Sequence, residues 1–230
     1  MANLFKRPFA FSKGDNVVVI GLGRFGSTVA QSLTRLGHDV MGIDRNAELV
    51  QTWADQLTHT AQADSTNANV MRQLGVADFT HAIVGIGTDL AASLMTVMVL
   101  TELDIKDIWV KAVTPEHGQI AQRIGAHHVV HPEAEMAERV AHLITGQMVD
   151  YVEFGAGFAI ARIYAPTLMY NRSLADSAVL ENFDVTVVAV KRAQEDFQHP
   201  AAGTVVLPGD LLIVSGPASK IEAFAGRADA

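Results

Sequence analysis

Cysteine is absent from the 230 residues, which excludes disulfides, thiolate zinc sites and cysteine nucleophiles. No apolar run reaches the ~20 residues that a membrane-spanning helix needs. Positive charge is scarce: 17 Lys and Arg stand against 25 Asp and Glu, for a net charge of −8 and a pI near 5.5. No basic stripe interrupts this acidity, so a nucleic acid polymer is not an expected partner. There is no internal repeat and no low-complexity run. Residues 1–14 place Lys6, Arg7 and Lys13 among Leu4, Phe5, Phe9 and Phe11. They lack the continuous apolar core and small-residue cleavage site of a signal peptide. They read as an N-terminal tail, with a short amphipathic membrane contact as the alternative. What is present is a 49% hydrophobic chain, enough to bury one large core or two small ones. The absence of cysteine fits a cytoplasmic location.

The most informative stretch is Val17-Val18-Val19-Ile20-Gly21-Leu22-Gly23-Arg24-Phe25-Gly26. Four branched apolar residues predict a parallel strand buried on both faces. The Gly-x-Gly-x-x-Gly that follows predicts a tight turn into a helix. Gly21 permits the turn, Gly23 lets backbone approach a phosphate, and Gly26 lets helix and strand pack closely. The helix N-terminus offers free N–H groups and partial positive charge to an anion. A second strand, Asp39 to Ile43, ends in Asp44, where an acid is expected to meet a ribose hydroxyl. Together these features predict a bound adenine nucleotide. Arg24 falls in the first helical turn, where a guanidinium can reach a phosphate beyond those held by backbone. Arg45 would suit a 2′-phosphate, but adjacent Asp44 would repel one, so an unphosphorylated ribose is expected.

Strand-like and helix-like segments alternate from Val17 to about Met148. Strands are expected at Val17–Ile20, Asp39–Ile43, His59–Ala63, His81–Gly85, Asp107–Ala112 and His128–Val130. The intervening helices begin near Arg24, Ala47, Asn67, Asp89 and Thr114, and a last one runs from Pro132 through Met136, Val140, Leu143 and Ile144 to Met148. This pattern predicts an α/β fold with a Rossmann-like, doubly wound parallel sheet over residues 15–148. Residues 149–230 change character and predict a second, smaller α+β domain. Its expected elements are a strand over Tyr151–Ala165, a short helix over Ser173–Leu180, strands at Val185–Val190 and Leu211–Val214, a turn at Leu207-Pro208-Gly209-Asp210 and a helix over Ala218–Phe224.

No catalyst is evident. The second domain has one histidine, His199, and two lysines, Lys191 and Lys220, with no nucleophile–base pair at readable spacing. His127-His128-x-x-His131 resembles a metal motif, but strand geometry favours a structural role. Met95 and Met98 read as packing residues.

The glycine turn, Asp44, Ala63-Asp64-Ser65-Thr66, Trp109-Val110-Lys111-Ala112 and His131-Pro132-Glu133 fall in the order seen in RCK domains, the regulators of potassium conductance. The resemblance is to the KtrA/TrkA type of potassium-uptake subunit. It extends through Leu207–Val214 in the C-terminal domain and covers about Asp15 to Phe224. It implies a non-enzymatic, nucleotide-sensing gating subunit. Homodimers would assemble into an octameric ring that is cytoplasmic and attached to the membrane through a potassium-translocating protein of the KtrB or TrkH kind. ATP and ADP, or NADH and NAD, would favour different ring shapes. By family pattern the glycine turn and Arg24 hold phosphates, Asp44 holds the ribose and Asp64 lies near adenine, with Phe25 and Arg45 in the same nucleotide set. Ser65 and Lys111 belong to the same nucleotide set. Glu133 would help bind Mg²⁺ or Ca²⁺ near the terminal phosphates. Some members bind cyclic-di-AMP between paired C-terminal domains; Thr186 stands where many of those have Asn, which weighs against that ligand here. The alternatives are a small NAD(P)-dependent oxidoreductase and a redox-sensing DNA-binding regulator. Acidic charge and the lack of a helix-turn-helix weigh against the second.

Overall fold

The computed structural model describes residues 15–144, 148–154 and 156–226; the expected N-terminal tail lies outside them. The chain divides into two compact units, one ending at Glu133 and the other beginning at Ala134.

In the first unit, β1 (Asn16–Ile20), β2 (Asp39–Asp44), β3 (His59–Gln62), β4 (His81–Val84), β5 (Asp107–Lys111) and β6 (His128–Val130) form one parallel sheet. Its order is β3-β2-β1-β4-β5-β6, so the strand sequence reverses between β1 and β4. The connecting helices are α1 (Arg24–Arg35), α2 (Ala47–Trp53), α3 (Ala68–Gln73), α4 (Leu90–Glu102) and α5 (Pro115–Arg123), and α6 (Pro132–Ile144) follows β6. The continuous apolar run of β1 is explained by cover on both faces. Val18 and Ile20 pack into one core with Val84, Leu100 and Ile108; Val17 and Val19 pack into another with Leu22, Val40 and Leu57. Asn46, Asn67, Asp89 and Thr114 cap α2, α3, α4 and α5 through their side chains.

The second unit has an antiparallel sheet of order β10-β12-β8-β7. Its strands are β7 (Asp150–Glu153), β8 (Phe158–Tyr164), β10 (Thr186–Lys191) and β12 (Leu211–Pro217). Helix α9 (Ala218–Ala225) buries Ile221 and Phe224 in a core with Ile163, Met169 and Leu212.

Several expectations are corrected here. Tyr151–Ala165 is a hairpin and not one strand: Phe154 N–H donates to Phe158 O at 2.8 Å, and Ala156 and Gly157 take positive φ values of 51° and 73°. Ser173–Leu180 is two short turns, α7 (Leu174–Ser177) and α8 (Val179–Phe183), broken where Ala178 adopts φ 45°. A two-stranded sheet, β9 (Arg172–Ser173) with β11 (Val205–Val206), was not expected, because segments this short show no periodicity. Met148 is not on the face of α6; it is buried in the second unit's core ahead of β7. Met95 and Met98 are 50% and 57% exposed, so each is only half covered and neither belongs to the core. The turn at Leu207–Asp210 forms as expected, with Leu207 N–H donating to Asp210 Oδ2 at 2.8 Å.

Candidate functional site

The reversal of strand order between β1 and β4 leaves a crevice at their C-terminal ends, and the glycine turn runs there. Gly21 has φ +92°, and a Cβ on it would press on Gly85 C and Ile86 N at 3.1 Å. Gly21 N–H donates to Ile43 O at 2.8 Å and Gly85 N–H to Ile20 O at 2.7 Å, so β1, β2 and β4 are tied together at this edge. A Cβ on Gly26 would lie 1.9 Å from Gly21 O. Helix α1 can meet the turn this closely only because residue 26 has no side chain.

Gly23 differs. It is the N-cap of α1 in extended conformation (φ −65°, ψ −174°), makes no side-chain cap, and a Cβ there would meet nothing within 4 Å. No acidic residue sits in the first turn. The first N–H groups of α1 therefore have no side-chain cap and lie beside the open space at Gly23, whereas α2 to α5 have theirs covered by a side chain. Space, free donors and the positive end of the helix dipole coincide at one point, which suits a phosphate.

Asp44, at the end of β2, accepts from Leu22 N–H at 2.7 Å through Oδ2 and from Asn46 N–H at 2.8 Å through Oδ1. It braces the glycine turn and still has lone pairs for a hydroxyl. Arg45 Nη1 lies 3.5 Å from Asp89 Oδ2. The Thr66 hydroxyl and amide both donate to Asp64 Oδ1, at 2.7 and 2.9 Å; these bonds, with Arg45's charge, hold the Asp64 carboxyl below the usual range. Ser65 is placed otherwise than expected. It is 7% exposed and its hydroxyl bonds Thr96 Oγ1 at 2.7 Å, so its side chain joins α4 to the end of β3. Lys111 Nζ stands 2.5 Å from Glu133 Oε1 and 5.7 Å from the centroid of the Phe25 ring. The Lys111 bond, helped by the charges of Lys111 and Arg24, lowers the pKa of Glu133. Arg24, Phe25, Lys111 and Glu133 thus gather beside the α1 N-terminus.

Gly85 and Gly87 were missed by sequence reasoning. A Cβ on Gly85 would reach Gly21 O at 3.1 Å, and one on Gly87 would reach Lys111 Nζ at 3.2 Å. Their signal, a second Gly-x-Gly directly after a strand, is present in Gly85-Ile86-Gly87.

The three histidines of the suspected metal motif are drawn apart. His127 Nδ1 accepts from Ile108 N–H at 3.1 Å. His128 bonds buried Asp107 at 3.0 Å and stacks on Trp109, and Asp107 also holds His81 at 2.9 Å. His131 lies against α5, where a Cβ on Gly118 would touch its ring at 3.2 Å. Among the described residues no three His, Asp or Glu side chains gather as metal ligands. Glu133 offers one carboxylate, already paired with Lys111, so this chain alone does not supply a Mg²⁺ or Ca²⁺ cage. At the same sheet edge His117 is buried; its Nδ1 accepts from Val113 N–H at 3.3 Å, and burial, then His131, lowers its pKa. A neutral, enclosed imidazole is poorly placed as an acid for a nicotinamide substrate.

The strand order, the glycine turn and the acid ending β2 define a Rossmann-type domain followed by a small α+β domain. Comparison with known proteins gives the family. Residues 17–132 match the TrkA-N domain and residues 158–227 the TrkA-C domain. Ktr system potassium uptake protein C of Bacillus subtilis is 36% identical over 91% of this chain and 95% of its own length. Ktr system potassium uptake protein A of the same organism is 33% identical over 92% and 96%. Among solved structures, the GsuK RCK domain superposes with a TM-score of 0.63 at 17% identity, covering 96% of this chain and 49% of that one, so this chain spans about half its length. The GsuK channel bound to NAD superposes at 0.55 with 21% identity, over 95% of this chain and 39% of that one. The chain belongs to the TrkA-N/TrkA-C family of RCK proteins that includes the Ktr potassium uptake proteins.

Proposed function

We propose that this chain is a nucleotide-sensing regulatory subunit of a potassium channel or transporter. The observation that carries the proposal is the uncapped N-terminus of α1, with open space at Gly23, at the point where the sheet order reverses. The family supports it: the relatives are named as potassium uptake proteins, and the GsuK channel has been solved with NAD. The pyrophosphate of ATP, ADP, NAD or NADH would lie over Gly23 and the first N–H groups of α1. Asp44 would take the ribose hydroxyls and Asp64 would lie toward adenine, with Arg45 between Asp64 and Asp89. Ser65 contributes packing and is dropped from the contact set. A Mg²⁺ or Ca²⁺ ion at Glu133 would need phosphate oxygens and a second chain to complete its ligands. Cyclic-di-AMP is not part of the proposal; Thr186 begins the edge strand β10, and the described residues add nothing in its favour.

Regulation of this kind needs no catalysis. A ligand shifts a two-state equilibrium only by its differential affinity for the two shapes. Assembly multiplies the effect. Helix α4 is apolar all round, with Leu90, Met95 and Met98 exposed, as expected of a helix covered in an assembly. We take that cover to be other copies of this chain, in homodimers and an octameric ring docked on the cytoplasmic side of a membrane partner. Among the described residues no helix is long and apolar enough to cross a membrane. The oxidoreductase alternative requires a substrate acid or base at the nicotinamide, and hydride transfer to a panel of small alcohols and acids would separate the two readings.

Arg24 tests how phosphates are read. Arg24→Ala removes a cation beside Glu133 and leaves the backbone donors in place. ATP affinity is expected to fall at least fivefold more than ADP affinity, about 1 kcal/mol of discrimination, by calorimetric titration. Equal losses for both ligands would assign Arg24 to a shared phosphate.

A further inference from the structure

The Lys111–Glu133 ion pair is asymmetric. Lys111 has 12% of its side chain exposed, and its Nζ is fixed by the Phe25 ring and by the close backbone at Gly87. Glu133 is 65% exposed. The cation is held and the carboxylate is the exchangeable partner. Two cations, Arg24 and Lys111, act on this one carboxylate. Glu133 also stands in the first turn of α6 and is the last residue of the first unit. The pair therefore tethers the start of α6 to the end of β5.

An ion pair with a solvated member is weak and exchanges readily. A phosphate is a better partner for an ammonium held in place, because it brings more charge and more acceptor oxygens. We propose that Glu133 is a built-in competitor for the nucleotide: it occupies Lys111 until a phosphate group displaces it, and the displacement unfastens the first turn of α6 where the chain leaves the first unit. This inference rests on the nucleotide site proposed above. It converts phosphate arrival into a change at the exit of the binding unit without any covalent step.

The test is a double-mutant cycle on the full chain, read by calorimetric titration of ATP and ADP in the presence of EDTA. Glu133→Gln is expected to tighten both nucleotides about fivefold, and Lys111→Gln to weaken them at least tenfold, with no effect of Glu133→Gln in the Lys111→Gln background. Hydrogen exchange supplies the second readout. ATP is expected to raise exchange of the α6 amides in the wild type, and those amides should already exchange fast in Glu133→Gln without ligand. Equal tightening by Glu133→Gln in both backgrounds would mean direct repulsion of phosphate and overturns the proposal. So would unchanged affinity and unchanged α6 exchange in Glu133→Gln, whose exposed side chain makes it safe for folding. A wild type that binds neither nucleotide would instead sink the site itself.

Discussion

Gly23→Asp is expected to lose nucleotide binding at least tenfold, about 1.4 kcal/mol, while the protein stays folded. The two halves of that result have separate causes. A Cβ at residue 23 meets nothing within 4 Å, and the backbone is in an extended conformation open to any residue, so packing is unaffected. Aspartate is also a favoured N-cap, and α1 lacks a side-chain cap, so the melting temperature should be equal or slightly higher. The new carboxylate would bond the first N–H groups of α1 and put negative charge where a pyrophosphate must lie. Calorimetry with ATP, ADP, NAD and NADH and a thermal melt check both halves. Normal binding by a folded variant would place the ligand elsewhere.

Gly26→Ala, three residues on, is expected to do the opposite. Its Cβ would lie 1.9 Å from the carbonyl oxygen of Gly21, a backbone atom that cannot swing aside. Either α1 must move off β1 or the turn must open. Overpacking of this severity costs about 3 kcal/mol or more. For a chain of this size that is a fall in melting temperature of roughly 10 °C. A melt within about 2 °C of the wild type would show that α1 and the turn are not packed as described. The pair of variants separates two glycines that sequence alone treats as one motif: one is small for the fold, the other leaves room for a ligand.

The first unit was legible because its signals are local and repeated. Buried parallel strands read as apolar runs, and Asn46, Asn67, Asp89 and Thr114 mark helix starts. The second unit was less so. Its hairpin turn at Ala156 and Gly157 and the break at Ala178 depend on positive φ values, two of them at alanine, which announces no such conformation. The site followed the same division. Gly21, Gly23, Gly26 and Asp44 could be placed from spacing. The burial of Ser65 against Thr96 could not, because it depends on how α4 crosses the sheet. Nor could the Lys111–Glu133 pair, which joins side chains from two elements. Met95 and Met98 show a further limit: an apolar helix face predicts burial without saying whether the cover is the same chain or another.

Nucleotide bound at the glycine edge is expected to control potassium movement through a partner. The most direct measurement is potassium uptake by liposomes holding the membrane subunit of the same uptake system, with this chain added and ATP, ADP, NADH or NAD supplied in turn. With the wild-type chain, uptake is predicted to differ severalfold between ATP and ADP or between NADH and NAD, and with Gly23→Asp that difference should vanish. Uptake that is the same with and without the chain under every nucleotide, or a nucleotide dependence that survives Gly23→Asp, would contradict it.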